Sequence, residues 1–373
     1  DEIVRDGEGF GHGGQVVTDD LEAFLYGRAP CDLGSDGRNR YRYRVSKREP
    51  RGEAMTDVKS TRRRGAGWRG LAVAIVVAST LGGVAHAASP RIKMALTFDD
   101  LPTHGAWPPG VSRMDVAGGL LAAFHDAGAR SVHGFVNGVG EEHEPDSVGV
   151  PSLWRAAGHP LGNHAWSHMN LNTSSLADWE ADVVRNEPLL DKHMVGQDWH
   201  WLRYPFLAEG ETPEKHAAVR KMLKARGYRI ASVTTGFGDY GWNEPYARCM
   251  AKGDTAAVAV LEASFLKAAK ESLDYSRGLS ATLYGRDIPY VLLMHAGAFD
   301  ARMMPRLLAL YRDNGVDFVS LEEAERDRFY EADFRTEATA VPTTLENAMV
   351  ARGLPVPPQP TAWGGADLDK MCR

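Results

Sequence analysis

Between residues 92 and 320 the chain alternates short apolar runs with stretches of helical periodicity. Strands are predicted over Ile92–Phe98, Ser131–Val136, His159–Asn163, His200–Tyr204, Tyr228–Thr234, Tyr290–Met294 and Asp317–Ser320. Helices are predicted over Val116–Ala127, Leu176–His193, Pro213–Arg226, Thr255–Leu279 and Arg302–Asp313. A strand followed by a helix, repeated, reads as parallel β/α units. Runs such as Tyr290-Val-Leu-Leu-Met294 are apolar throughout, which a strand needs when both faces of its sheet are covered. Seven such units over about 230 residues predict an α/β barrel. The segment Trp242–Asp287 exceeds one crossover and reads as a helical insertion before the sixth strand. The tail after Tyr330 holds Pro342, Pro355, Pro357, Pro358 and Pro360, and is expected to lie extended on the barrel.

The front of the chain has a different pattern. Residues 1–54 are rich in Gly, Asp and Arg, show no sustained period and are expected to be a disordered or over-extended leader. The first methionine is Met55, and residues 55–87 have the three parts of a secretory signal. A basic stretch runs from Lys59 to Arg69, an apolar run from Leu71 to Val84, and Ala85-His86-Ala87 forms a small-x-small cleavage site. The apolar run is shorter than the roughly 20 residues that span a bilayer. A cleaved signal is therefore expected rather than a retained anchor, with the protein periplasmic or secreted.

Composition narrows the picture further. Of 373 residues, 43 are Lys or Arg and 49 are Asp or Glu, a net charge of −6 that argues against a nucleic-acid partner. A chain starting near Ala88 keeps two of the three cysteines, Cys249 and Cys372. In an oxidising compartment an even count points to one bridge, the alternative being two buried thiols.

The chemistry lies at the strand ends. Strand one ends in Thr97-Phe-Asp99-Asp100, strand three runs into His164-Ala-Trp-Ser-His168, and strand four ends at Arg203-Tyr-Pro205. Strand five leads to Asp239-Tyr-Gly-Trp242, and strand six ends in Leu293-Met-His295. In a parallel barrel these ends share one rim, where active sites sit. Adjacent acids alone mark a turn or a cap. His164 and His168, spaced i, i+4, share a face if they lie on a helical turn. With one aspartate they make a divalent-metal triad that leaves positions open.

These residues resemble the five ordered motifs of the NodB-homology polysaccharide deacetylases, carbohydrate esterase family four. The resemblance spans roughly Lys93 to Leu321 and implies a distorted (β/α)7 barrel at 88–330, with 331–373 as the tail. It implies removal of acetyl groups from a glycan with a bound divalent metal, zinc or else cobalt. Asp99 would be the general base, held by Arg203, and Asp100, His164 and His168 would bind the metal. His295 would be the general acid, oriented by Asp239. An N-acetylglucosamine-containing glycan is the favoured substrate, with an O-acetyl xylan-type esterase or an inactive glycan-binding pseudoenzyme as alternatives. Tyr204 would offer a backbone N–H to an oxyanion. His104 could touch substrate, and Trp166 and Trp242 either stack on sugar or pack in the core. The chain departs from the family pattern at Leu101 and Leu207, which are expected to alter the groove floor.

Overall fold

The computed structural model describes residues 91–143, 147–360 and 366–373. The leader at 1–54 and the signal at 55–87 lie outside the described residues. No helix among the described residues is long and apolar enough to cross a membrane.

Seven parallel strands form the sheet: β1 (Ile92–Leu101), β2 (His133–Val136), β3 (Leu161–Asn163), β4 (Trp201–Leu202), β5 (Arg229–Ile230), β6 (Tyr290–His295) and β7 (Val316–Val319). The long first strand is the central stave, buried along nearly its whole length. One of its edges pairs with β6 from Met94–Tyr290 through Asp99–His295. Its other edge is shared, with β7 beside Ile92–Ala95 and β2 beside Thr97, Phe98 and Leu101. From β2 the sheet curls through β3 and β4 to β5. The chain then continues to Thr235, which bridges Leu292 of β6 and brings the curl back to its start. The result is the expected barrel, distorted because β4 and β5 pair over only two residues each.

Helices cover the outside, and local signals set their ends. In α1 (Arg113–Asp126), Ser112 and Asp115 form a reciprocal capping box. Ser175 caps α3 (Leu176–His193), which follows the short α2 (Gly149–Ala156). Thr212 and Pro213 open α4 (Pro213–Ala225). Two helices, α5 (Asn243–Ala251) and α6 (Thr255–Tyr284), fill the long segment before β6. The second runs five residues past its expected end: Gly278 stays helical, and Gly285 takes the left-handed C-cap. The last barrel helix, α7 (Ala298–Asp313), follows β6 directly. Between helices and sheet, Phe98 meets Phe124 at 5.2 Å and Trp154 at 5.8 Å between ring centroids. Truncating a ring so enclosed costs about 3–5 kcal/mol.

The tail is not extended as expected. Residues Arg328–Phe334 form 3-10 turns, and Thr344 caps a further helix, α8 (Leu345–Ala351), which buries Leu345 and Met349. Residues 340–344 and 354–360, on either side of that helix, run without helix or turn. The prolines flank the helix rather than interrupt it, so a Pro count misjudged the segment. Asp333 accepts from Ser232 Oγ at 2.6 Å, and Arg220 donates to the Ala332 carbonyl at 2.6 Å, tying the tail to β5 and α4. The final residues are pinned by a Cys249–Cys372 disulfide. Arg248 adds hydrogen bonds to the carbonyls of Asp369 and Met371.

Candidate active site and metal centre

Strand register places the chemistry. Asp99 and His295 are direct partners across β1 and β6. Val136 sits between Leu101 and Asn163, and Asn163 pairs with Leu202, so His164 and Arg203 leave adjacent strands side by side. Asp100 has φ +60°, a turn that lets consecutive aspartates serve the same site rather than opposite faces of a strand.

Asp99 is buried against Arg203, whose Nη1 donates to both carboxylate oxygens at 3.1 and 3.2 Å. The same guanidinium donates to Thr97 Oγ1 at 3.0 Å and the Ala231 carbonyl at 2.7 Å, and lies over the Phe135 ring. Arginine's fixed fork is thus fully used in a dry setting, which orients Asp99 rigidly.

His164 Nδ1 donates to the Arg203 carbonyl at 2.8 Å, which leaves Nε2 with its lone pair toward Asp100 Oδ1, 3.2 Å away. His168 Nε2 is also 3.2 Å from that oxygen. Burial pushes the His168 ring down to about 4, so it is a neutral imidazole at neutral pH. Burial opposes ionisation of Asp100, but His104, His164 and His295 around it hold its carboxyl well below the ordinary carboxylate range. The ligand atoms of Asp100, His164 and His168 all lie within 4.8 Å of one another. Asp100 Oδ1 is buried without a hydrogen-bond donor. One anionic oxygen and two imidazole lone pairs facing a common point fit a divalent cation of the zinc class.

The histidine pair does not sit on a helical turn, as its spacing had implied. Residues 164–168 form a loop in which Ala165 and His168 take positive φ values of +58° and +57°. Three asparagines hold it: Asn163, beside His164 in its motif, and Asn137 and Asn186, which the motifs did not reveal. Asn137 Nδ2 donates to the His164 and Ala165 carbonyls, Asn163 Oδ1 accepts from Ala165 N, and Asn186 Nδ2 donates to Asn163 Oδ1. Asn137 and Asn163 bond backbone groups of the loop, and Asn186 reaches it through the Asn163 side chain, so no side-chain spacing marked Asn137 or Asn186.

On the other side, Asp239 accepts from His295 twice, from the backbone N–H at 2.6 Å and from Nδ1 at 3.1 Å. Burial works to lower the His295 ring, but the Asp239 charge and hydrogen bond, with Asp100 and Asp99, push it up to about 10. Its ring therefore carries a proton at neutral pH. Asn243 and Asp300, also missed in the sequence, stand behind this pair. Asn243 Nδ2 donates to Asp300 Oδ2 at 3.0 Å, and its Oδ1 accepts from Phe299 N at 2.8 Å. Burial, then the charge of Asp239, pushes the Asp300 carboxyl well above the carboxylate range. In the sequence, Asp300 lies before the predicted helix start at Arg302, whereas the structure puts it in the first turn of α7.

Of the two readings of Trp242, stacking on sugar or packing in the core, the structure shows the second. Trp242 is fully buried, with its ring against Phe237 and Phe265 and its Nε1 donating to Ser264 Oγ, so no sugar can stack on it. The Tyr204 ring is buried on Trp179, which leaves only its backbone for the rim. Trp166 is half-buried, with the Arg185 guanidinium over one face. Leu101 is buried in the core and not in a groove floor. The exposed apolar residues at the site are Phe206 (63%), 4.4 Å from the His168 ring, its neighbour Leu207, and Tyr240 (53%), 5.1 Å from the His295 ring.

Residues 86–231 match the polysaccharide deacetylase family model. The family resemblance is borne out. The match includes Asp99, Asp100, His164, His168 and Arg203 and ends before Asp239 and His295; strand register brings in His295, and its two hydrogen bonds bring in Asp239. No curated protein matches the chain significantly. Among solved structures, a family 4 carbohydrate esterase from Streptomyces lividans in complex with acetate is similar at 20% identity. That match covers 62% of this chain and 95% of the esterase, with a TM-score of 0.39. A polysaccharide deacetylase from Bacillus cereus is similar at 18% identity, covering 62% of this chain and 92% of that one, with a TM-score of 0.43. A family pseudoenzyme from Bacillus anthracis is similar at 14% identity, covering 63% and 65%, with a TM-score of 0.43.

Proposed function

We propose that the protein is a metal-dependent deacetylase that hydrolyses the acetamide of an N-acetylglucosamine-containing glycan outside the cytoplasm. The observation that carries this reading is the flanking of one ligand triad by an aspartate held by an arginine and a histidine held by an aspartate. The Asp99–Arg203 pair lies on one side and the His295–Asp239 pair on the other, joined by direct strand register.

Asp100, His164 and His168 would hold the ion, with zinc first and cobalt second. A divalent ion in that position supplies Lewis acidity toward the acetyl carbonyl and acidifies water. Asp99 takes the proton from the attacking water, since Arg203 holds it aimed through both carboxylate oxygens. The Tyr204 backbone N–H, on the chain that leaves β4, would donate to the developing oxyanion. His295, protonated and held by Asp239, gives its proton to the departing nitrogen. Presence of both Asp99 and His295 favours a working enzyme over a glycan-binding pseudoenzyme.

Acetate release by the metal-loaded protein tests the proposal, with N-acetylated and O-acetylated glycans offered side by side. Release from N-acetylglucosamine oligomers that stops on chelation is expected. Release only from acetylated xylan would transfer the same apparatus to an ester, and no release from any glycan would refute the proposal.

A further inference from the structure

His104 stands four residues past Asp100 in the turn that leaves β1. Its Nδ1 is 2.5 Å from Asp100 Oδ2, the carboxylate oxygen that does not face His164 and His168. With the carboxylate ionised, Nδ1 must carry the hydrogen and donate it. The two oxygens of Asp100 are thereby given different partners: Oδ2 is taken by His104, and Oδ1, buried and without a donor, is left to the two histidine Nε2 atoms at 3.2 Å each.

The His104 ring is itself fixed from three directions. Its backbone N–H donates to the Ala296 carbonyl at 3.0 Å, one residue past His295. The ring lies 4.9 Å from the His295 ring and 5.8 Å from Tyr240. The next residue, Gly105, has φ +71° and faces Asn243 closely: a Cβ there would come within 3.2 Å of the Asn243 Cβ, tighter than ordinary side-chain contact. The turn therefore rests on the same asparagine that holds Asp300 and the start of α7.

We infer that His104 is a positioning residue that locks Asp100 as a one-oxygen ligand and links the metal end of the site to the acid end. Imidazole–carboxylate pairs behind a metal fix a ligand's direction and raise its affinity, and their loss costs about 10–100-fold in metal binding. This role rests on reading Asp100, His164 and His168 as the metal triad. It differs from a substrate contact because its effect is present before any glycan arrives.

The test is Co(II) titration of the full chain without substrate, followed by its d–d absorption, in the unaltered protein, His104→Ala and His104→Asn. The asparagine amide can donate near the position of Nδ1. Affinity is expected to fall about 10–100-fold in His104→Ala and to recover in large part in His104→Asn. Zinc-edge X-ray absorption should count two imidazole ligands in all three proteins. Equal Co(II) affinity in all three would overturn the inference while leaving the triad standing. A count of three imidazoles that drops to two in the variants would overturn it by making His104 a ligand. If His104→Ala does not fold, the asparagine variant decides: affinity near that of the unaltered protein supports the inference, and a loss as large as that expected for alanine contradicts it. Absence of Co(II) binding in the unaltered protein would instead refute the triad, a result separate from either outcome for His104.

Discussion

Asp239 engages His295 through both of its oxygens, accepting the backbone N–H on one and the ring Nδ1–H on the other. The contact fixes ring orientation and, with Asp99 and Asp100, raises the ring's proton affinity against the opposing effect of burial. Replacing Asp239 by Asn removes one of the raising charges, so His295 loses its proton at a lower pH. The alkaline limb of the turnover profile should move toward lower pH and the neutral rate should fall. Losing general-acid function altogether costs about 10²–10⁴-fold, which bounds the effect. Turnover of Asp239→Asn measured from pH 6 to about pH 10 checks this; an unmoved limb would remove Asp239 from the acid's control.

Arg203 should matter for stability as well as activity. Both it and Asp99 are almost wholly enclosed. Removing one partner of a buried pair strands the other charge and costs about 3–5 kcal/mol. Arg203→Ala should therefore unfold at markedly lower urea. Arg203→Lys keeps the charge but not the fork to Thr97 and Ala231, so it should fold better than Arg203→Ala and still lose most acetate release.

The charged site residues at strands one, three, four and six were legible because each follows an apolar run directly, while Asp239 lies in a 3-10 turn well past β5. The sequence did not carry the shape of the loop at His164–His168. Spacing i, i+4 would put both rings on one face of a helical turn, whereas hydrogen bonds from the side chains of Asn137, Asn163 and Asn186 set a path with positive φ at Ala165 and His168 that no residue type announces. Trp242 illustrates the same gap from the other side. Its position beside Asp239 made it look available, but only the packing of α6, with Phe265 and Ser264, shows that it faces inward. The helix Leu345–Ala351 was hidden by the prolines around it, although Thr344 is an ordinary cap.

Acid should destabilise the fold through His159. Its Nδ1 accepts the Val132 N–H at 3.1 Å and so must be unprotonated, and burial, then Arg155, lowers the ring to about 4. The unfolded ring titrates near 6.5. Below that pH the unfolded chain takes up a proton that the folded one refuses, so stability falls as pH drops from 6.5 toward 4. The loss from this group is roughly 3 kcal/mol across that window. Buried His133, lowered to about 4 chiefly by burial, acts in the same direction. His159→Asn, which can still accept from Val132, should show a shallower fall in urea midpoint over this range. An unchanged slope would remove His159 from the acid response.

Opening the Cys249–Cys372 bridge should loosen the end of the chain more than the barrel. The bridge closes a loop across a separation of 123 residues. The chain-entropy estimate for such a loop is about 5 kcal/mol, an upper bound for this protein. Arg248 still holds the last turn through carbonyls, so Cys372→Ser should lose less than that bound. Hydrogen exchange should rise at residues 366–373 and stay unchanged in β1. Fast exchange throughout β1 in Cys372→Ser would contradict this division.

The central claim is that two adjacent aspartates do different work: Asp100 holds the metal and Asp99 takes the proton. Metal stoichiometry measured beside acetate release tests it in Asp99→Asn and Asp100→Asn. The account predicts that Asp99→Asn keeps one equivalent of metal per chain and loses about 10²–10⁴-fold in turnover, while Asp100→Asn loses both metal and turnover. An Asp99→Asn protein stripped of metal, beside an Asp100→Asn protein that keeps metal and activity, would reverse the assignment.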